Sequence, residues 1–427
     1  MHIVLVAMNY APEPTGIAPF NTGLAEHLAA AGHRVTVLTT FSHYPAWRLA
    51  DRDRGRWLLR EERNGVSILR CRSYVPARRS VLRRVAYDSA LAAPALLLGL
   101  RLPRPDVVLA VSPPLQLAFA AGLLARWHGA RFLLQVKDLV PDVAIALGLL
   151  RHPLAVRAAR WLEQLVYRRA ERILTICQGF CENLRGKGVP EEKLLLLPDW
   201  IDTEAIRPGP RQNAFRREQG IAEDTFVVLH SGNMGAKQKL DTVLGAAERV
   251  VNSQMLFLLV GDGSERPHLE QTARARRLRN VRFLPLQPVG RLAEMLAAAD
   301  VLLLNQAAAI VDMVIPSKLL TYLAAGRPVV AAIHEASEAA RLIRAAGCGA
   351  VVPPEDPEAL AGALVQLARS DELRHRFGAA GRRYAIEYFE RRRVLARYAE
   401  FFSTLAPPQL PSQTAPARVA PARAAPR

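Results

Sequence analysis

Short continuous apolar runs separated by helical patterns recur along almost the whole chain. This alternation limits the possible fold more than any other feature of the sequence. In the first half the β-type runs are His2–Ala7, Val35–Leu38, Val66–Leu69, Val107–Val111, Phe132–Val136 and Ile173–Ile176, with helical patterns such as Phe20–Ala31 and Leu115–Trp127 between them. Such strands, alternating with helices, predict a parallel sheet covered on both faces. The stretch between Thr39 and Asn64 is polar and basic and reads as a surface excursion. The pattern then restarts. Leu194–Leu197 leads into Pro198–Asp202 and the polar Arg207–Arg211, which reads as a hinge. New strands follow at Phe226–His230, Leu256–Val260, Val281–Leu284, Val301–Leu304, Val329–Ala332 and Ala350–Val352. Helices are expected at Asp241–Val251, Glu265–Leu278, Arg291–Ala299, Ser317–Ala325, Glu335–Ala346 and Pro357–Arg369. The expectation is two doubly wound α/β domains, 1–200 and 201–382, then a helical segment at 383–405 returning to the first domain. The tail 406–427, mostly Pro, Ala and Ser, is expected to be disordered. Ligands of such sheets bind outside the carboxyl ends of the strands, so the site belongs in the cleft between the domains.

Half of the residues are apolar, which excludes a mainly disordered chain. The 57 Lys and Arg outnumber the 39 Asp and Glu, for a net charge of +18, which implies a polyanionic partner. Four cysteines make no disulfide framework. Cys177 and Cys181 have no second Cys/His pair beside them and read as small core residues rather than zinc ligands. Met1–Ala7 reads as a buried first strand rather than a leader, so the protein is expected to stay in the cytoplasm. Ser89–Leu100 is too short to cross a bilayer core of about 30 Å. Its flanks are basic, with Arg78, Arg79, Arg83 and Arg84 before it and Arg101 and Arg104 after. A second basic helix sets Arg157, Arg160, Arg168, Arg169 and Arg172 around Leu154, Trp161, Leu162 and Leu165. These segments are expected to rest on the anionic inner face of the cytoplasmic membrane. No interleaved aromatic and basic platform is present, so no specific nucleic-acid partner is expected.

The chemistry-bearing residues lie in loops after strands. Asn9–Phe20 joins the first strand to a helix, and Gly16 and Ala18 leave room for a ligand to approach. It contains neither G-x-G-x-x-G nor a Walker A sequence. His230–Asp241 opens the second domain, with Gly232 and Gly235 freeing the backbone and Lys237 and Lys239 able to reach an anion. Gly261 and Gly263 follow another strand in a close turn. Pro316 suits a helix's first turn, and Ser317 and Lys318 sit in that turn. Facing helix ends plus lysines would make a diphosphate clamp. Asp138 and Asp142 follow the fifth strand of the first domain. Asp142 suits a capping role, and Asp138 is the better functional candidate.

Six segments taken together resemble the retaining family-4 glycosyltransferases, above all the branch that builds colanic acid and other exopolysaccharides. They are Asn9–Phe20, Phe41–Trp47, Asp138–Gly148, Pro198–Asp202, Ser231–Leu240 and Pro316–Pro328. The resemblance implies the GT-B fold, two Rossmann-like domains facing across a cleft. It also implies a nucleotide-sugar donor held by the second domain and an acceptor, commonly a lipid-linked saccharide, held by the first. On this resemblance Lys237 matches the diphosphate lysine, and Asp138 falls where members carry an acidic residue or histidine near the reacting sugar. Gly16 matches the small-residue loop near the phosphates, and Phe283 and Leu284 lie where the base packs. Asn233 stands where many members have arginine, so bidentate phosphate binding is lost there. The wider family has two glutamates eight positions apart, where this chain has Met313 and Thr321. Thr321 can still bond a ribose hydroxyl, and the exopolysaccharide branch shares the variant.

The expected activity is therefore hexosyl transfer with retention, by Asp138 and Lys237, with no cofactor and no essential metal. Two other readings are a sugar-nucleotide epimerase of similar fold, which would convert donor without acceptor, and a nucleic-acid-binding protein suggested by the charge.

Overall fold

The computed structural model describes residues 1–44, 47–76, 81–311 and 316–405. The expectations on Arg78, Arg79, the Arg84 side chain, Met313 and the 406–427 tail lie outside what is described. The first sheet contains β1 (His2–Val6), β2 (Arg34–Thr40), β3 (Leu58–Arg63), β4 (Val66–Cys71), β5 (Val107–Ser112), β6 (Arg131–Val136), β7 (Arg172–Thr175) and β8 (Leu194–Leu196). Their spatial order is β3-β4-β2-β1-β5-β6-β7-β8. Between them run α1 (Ala18–Ala30), α2 (Val81–Ala90), α3 (Ala92–Gly99), α4 (Leu115–His128), α5 (Asp142–Ala146), α6 (Pro153–Arg169) and α7 (Gln178–Gly186). All pairings in this sheet are parallel except β3 with β4. The Thr39–Asn64 stretch is thus not only a surface excursion: it contains the antiparallel edge strand β3. Most of that strand, Arg60-Glu-Glu-Arg63, is exposed, so it carries no apolar periodicity, and charge on an edge also discourages further pairing.

The second sheet contains β9 (Phe226–Ser231), β10 (Met255–Val260), β11 (Val281–Leu284), β12 (Val301–Asn305), β13 (Val329–Ala332) and β14 (Gly349–Val352), in the order β11-β10-β9-β12-β13-β14. It is parallel throughout. Its helices are α8 (Ala214–Glu218), α9 (Asp241–Arg249), α10 (Arg266–Ala275), α11 (Leu292–Ala297), α12 (Lys318–Ala325), α13 (Glu338–Ala346), α14 (Pro357–Ala368) and α15 (Asp371–Tyr388). A last helix, α16 (Arg391–Leu405), follows.

Successive strand residues feed opposite cores. Ile3 and Leu5 of β1 pack with α1 and α16, whereas Val4 and Val6 pack with α3, α4 and α6. The crossing back to the first sheet lies at Phe389 and Glu390, rather than at the 382/383 boundary read from the sequence. There Ile201 pairs with Glu390, and its amide donates to the Phe389 carbonyl. α15 runs unbroken through Arg382, whose guanidinium donates to the carbonyls of Thr203, Ile206 and Ala324 and so ties α15 to α12 and to the segment that leads into the second domain. Val394, Leu395, Tyr398 and Phe402 of α16 are then buried against β1, β2 and α1.

Candidate functional site

Both sheets reverse strand order at one point, between β1 and β5 and between β9 and β12. The loops leaving such points open a crevice at the carboxyl edge of the sheet. In the second sheet they are the β9 loop, which holds Gly232, Asn233 and Lys237, and the segment leading into α12, which holds Pro316, Ser317 and Lys318.

The β9 loop is held by its backbone. Gly232 N–H donates to Val260 O and Met234 N–H to Asp262 O, both at 2.8 Å, and the fully buried Met234 side chain plugs the core beneath. The β10 loop presses against it. At Gly261 φ is +143°, and a Cβ there would sit 1.8 Å from the Gly232 carbonyl oxygen. Gly261 therefore shapes the site through Gly232, as the close turn requires, and its N–H donates to Leu284 O at 3.0 Å. Leu284 thus reaches the site through its carbonyl. Phe283 does not: its ring lies on the opposite sheet face, packed into the core beside α10 with Ala273 and Leu278. Asn233 is exposed at the loop tip.

Lys318, in the first turn of α12, lies over Gly232. Its Nζ is 3.3 Å from the position a Gly232 Cβ would take and 3.4 Å from His230 Nε2. Burial holds the lysine down to about 7. Burial and, second, the lysine charge keep His230 well below the usual histidine range, so it stays neutral. The cap residue Ser317 makes no side-chain bond to the α12 amides, and Thr321 lies three residues on from Lys318 on the same face. A neutral imidazole, a lysine beside the Gly232 backbone and uncapped helix amides form a locus suited to negative charge.

The first domain supplies the opposing wall. Asp138 follows β6, and its Oδ2 lies 3.9 Å from Lys237 Nζ, with both side chains about one-third exposed. The two residues named as catalytic candidates are thus brought together from opposite domains. An apolar contact of Val143 with Ala307 and Ile310, and the Gly179 N–H donating to Glu338 at 3.0 Å, also bridge the cleft. Asp142 does not cap α5, whose cap position is Pro141 with no side-chain bond; it lies in the first turn and pairs with Lys187 at 2.6 Å. Gly16, at φ +68°, faces the Tyr44 ring, and Ala18 is fully buried at the start of α1.

Sequence reasoning missed Glu13, His43, Lys137 and Asp199. The buried Glu13 carboxylate accepts from Asn9 Nδ2 at 2.8 Å and from the His43 and Tyr44 amides at 2.9 Å, which ties the Gly16 loop to the Phe41–Tyr44 segment. His43 Nδ1 donates to Phe41 O at 2.9 Å, so Nε2 accepts from Tyr87 OH at 2.7 Å. Lys137, beside Asp138, is buried, paired with Asp199 of the hinge and set 5.1 Å from the Phe20 ring. Their one sequence signal was membership of the segments already singled out or, for Lys137, a place next to one.

Comparison with known proteins now bears on this geometry. Residues 15–200 match the glycosyl transferase 4-like domain, and residues 211–384 match glycosyl transferases group 1. WcaI of Escherichia coli K12, named as a colanic acid biosynthesis glycosyl transferase, is 30% identical over 93% of this chain and 98% of its own. The chain belongs to this glycosyltransferase family. It is a hexosyltransferase with the GT-B fold. Sucrose-phosphate synthase from Thermosynechococcus elongatus superposes with a TM-score of 0.73 at 17% identity, covering 95% of this chain and 99% of that one. HepE from Anabaena, in complex with UDP-glucose, gives 0.71 at 16% identity, covering 95% of this glycosyltransferase and all of HepE. Among the described residues of the enzyme, no helix is long and apolar enough to cross a membrane.

Proposed function

We propose that this glycosyltransferase moves a hexosyl group from a nucleoside-diphosphate sugar to a lipid-linked saccharide at the cytoplasmic face of the membrane. The transfer proceeds with retention and without an essential metal, in exopolysaccharide or O-antigen-type assembly. The observation that carries this reading is the approach of Lys237 to Asp138 across the cleft, beside Lys318 over Gly232. The UDP-glucose bound by HepE and the colanic acid role in the name of WcaI support it.

In this reading the diphosphate sits on the Gly232 loop and the α12 end. Lys237 leaves Asp138 for the phosphate and stabilises the negative charge that grows there as the glycosidic bond breaks. Asp138, on the acceptor side, is left to face the sugar and its developing positive charge. The neighbouring carboxylates are engaged, Glu13 by three N–H donors and Asp199 by Lys137. Transfer on the front face of the sugar, with a donor phosphate oxygen helping to take the acceptor proton, therefore fits better than a covalent intermediate. In this reading Thr321, on the Lys318 face of α12, bonds a ribose hydroxyl.

The test is a thermal-shift screen across UDP-, GDP- and TDP-sugars, followed by transfer to lipid-linked acceptors with the product anomer read by NMR. The expected result is stabilisation by one class, then a retained anomeric configuration. An inverted product would overturn retention, and conversion of donor without acceptor would favour an epimerase. Activity should survive excess chelator; its loss would overturn the metal-free reading.

Lys318 adds a pH dependence. Its ammonium is charged below about 7 and neutral above, and a diphosphate binds the charged form. Nucleoside-diphosphate affinity by calorimetry should therefore fall about tenfold from pH 7 to pH 8.5, with net proton uptake on binding. Lys318→Met should bind weakly with a flat profile. A flat profile in the parent enzyme would refute the placement.

A further inference from the structure

We infer that the outer face of α6, with the adjoining ends of α3 and α4, is the surface by which this enzyme docks on an anionic lipid bilayer. This deepens the reading above by giving its membrane-bound acceptor a defined side of the molecule.

α4 packs against both α3 and α6, so the three form one layer over the first sheet. Their sequences contain one carboxylate, Glu163, and it is turned inward: 2% exposed, it accepts from Tyr167 OH at 3.0 Å and Lys187 Nζ at 2.7 Å. The outer face of α6 is the reverse of a solvated one. Leu154 and Trp161 stand 68% and 65% exposed, with Arg157, Ala158 and Arg168 exposed around them. The spacing 154, 157, 158, 161, 168 keeps these residues on one stripe of the helix. Leu149 leads into this helix at 56% exposed, while Leu97 on α3 and Trp127 at the end of α4 reach 59% and 71%. Arg101, Arg126 and Arg160 are exposed nearby. Among the described residues, Arg157, Arg160 and Arg168 have no carboxylate partner.

Exposed tryptophan and leucine among unpaired arginines fit a bilayer interface, where the rings enter the headgroup layer and the guanidinium groups meet lipid phosphate. A second copy of this face would set arginine against arginine, which argues against self-association. A nucleic acid would use the charge but would gain little from the leucines. Position favours lipid as well. The segment that starts at Asp138 runs through α5 directly into α6, so a lipid-anchored acceptor approaching along this helix meets the cleft at the helix's amino end.

The test is co-sedimentation of the full chain with vesicles of phosphatidylcholine alone or with equal phosphatidylglycerol, without donor or acceptor. The expected result is binding to the anionic vesicles only, weakened by salt. Arg157→Glu with Arg160→Glu should lower the partition coefficient at least about 20-fold, and Trp161→Ala with Leu154→Ala about tenfold. Transfer to a short-chain water-soluble acceptor should be unchanged in every variant, since none of these residues lines the cleft. Equal binding by parent and variants, equal binding to both vesicle types, or a charge-dependent shift of RNA in place of vesicles would overturn the docking face. Vesicle binding with no transfer to any acceptor would instead sink the proposed reaction and leave the surface standing.

Discussion

Replacing Lys237 by alanine should lower turnover by about 10²–10³-fold, the cost of removing one preorganised donor from a developing negative charge. The thermal midpoint should barely move, because the side chain is one-third exposed and its partner Asp138 faces the same open cleft. Because the diphosphate is anionic in the bound donor and gains further charge as the glycosidic bond breaks, kcat should fall and kcat/KM should fall at least as far. Lys237→Arg, which keeps the charge but not the shape, should recover part of the loss. Asp138→Asn separates the two residues' roles. It frees Lys237 from its partner in the empty enzyme, so donor affinity should hold or rise while turnover drops. Unchanged steady-state rates in Lys237→Ala, or a loss traced wholly to unfolding, would remove the lysine from the reaction.

A methyl group at Gly261 should do more damage to the molecule than any single charge removal. Its Cβ would fall 1.8 Å from the Gly232 carbonyl oxygen, and φ there is +143°, outside the range that L-residues favour. Either the β9 loop or the β10 loop must give way, and both are anchored by backbone hydrogen bonds to the sheet. The expected destabilisation of Gly261→Ala is about 3 kcal/mol or more, and nucleotide-induced stabilisation should vanish with the displaced Gly232. Gly362→Ala is the matched control: it lies inside α14, and its Cβ would meet nothing within 4 Å. It should be neutral or slightly stabilising. Calorimetric unfolding of the two variants, with and without UDP, decides the point, and a Gly261→Ala protein as stable and responsive as the parent would contradict the packing.

These expectations rest on parts of the molecule that were unequally visible beforehand. Strands buried on both faces, such as Val107–Val111, announce themselves as unbroken apolar runs, so the two-sheet plan and the loop positions were readable. β3 was not, because both its faces meet solvent and its residues are mostly charged. The four-residue run Val281–Leu284 showed a strand but not which side chains face which core, and Phe283, set near the base by the resemblance alone, packs into the core beside α10. Gly232, Lys237 and Lys318 could be found because glycines and lysines coincide at strand ends. The contact of Lys237 with Asp138 depends on how two domains separated by a hinge are set against each other, which no local pattern encodes. Glu13 and His43 were hidden for the same reason: thirty residues apart in sequence, they become partners only when β1 and β2 lie side by side.

The return of α16 to the first sheet bears on how the chain is made. Tyr398 and Phe402, nearly the last residues described, complete the apolar layer against Ile3 and Leu5, which precede them in the chain by the whole of the second domain. During synthesis the amino-terminal half must wait, one greasy side uncovered, while the entire carboxyl-terminal half is translated and folds. That interval is when the nascent chain is most open to aggregation and most in need of a chaperone.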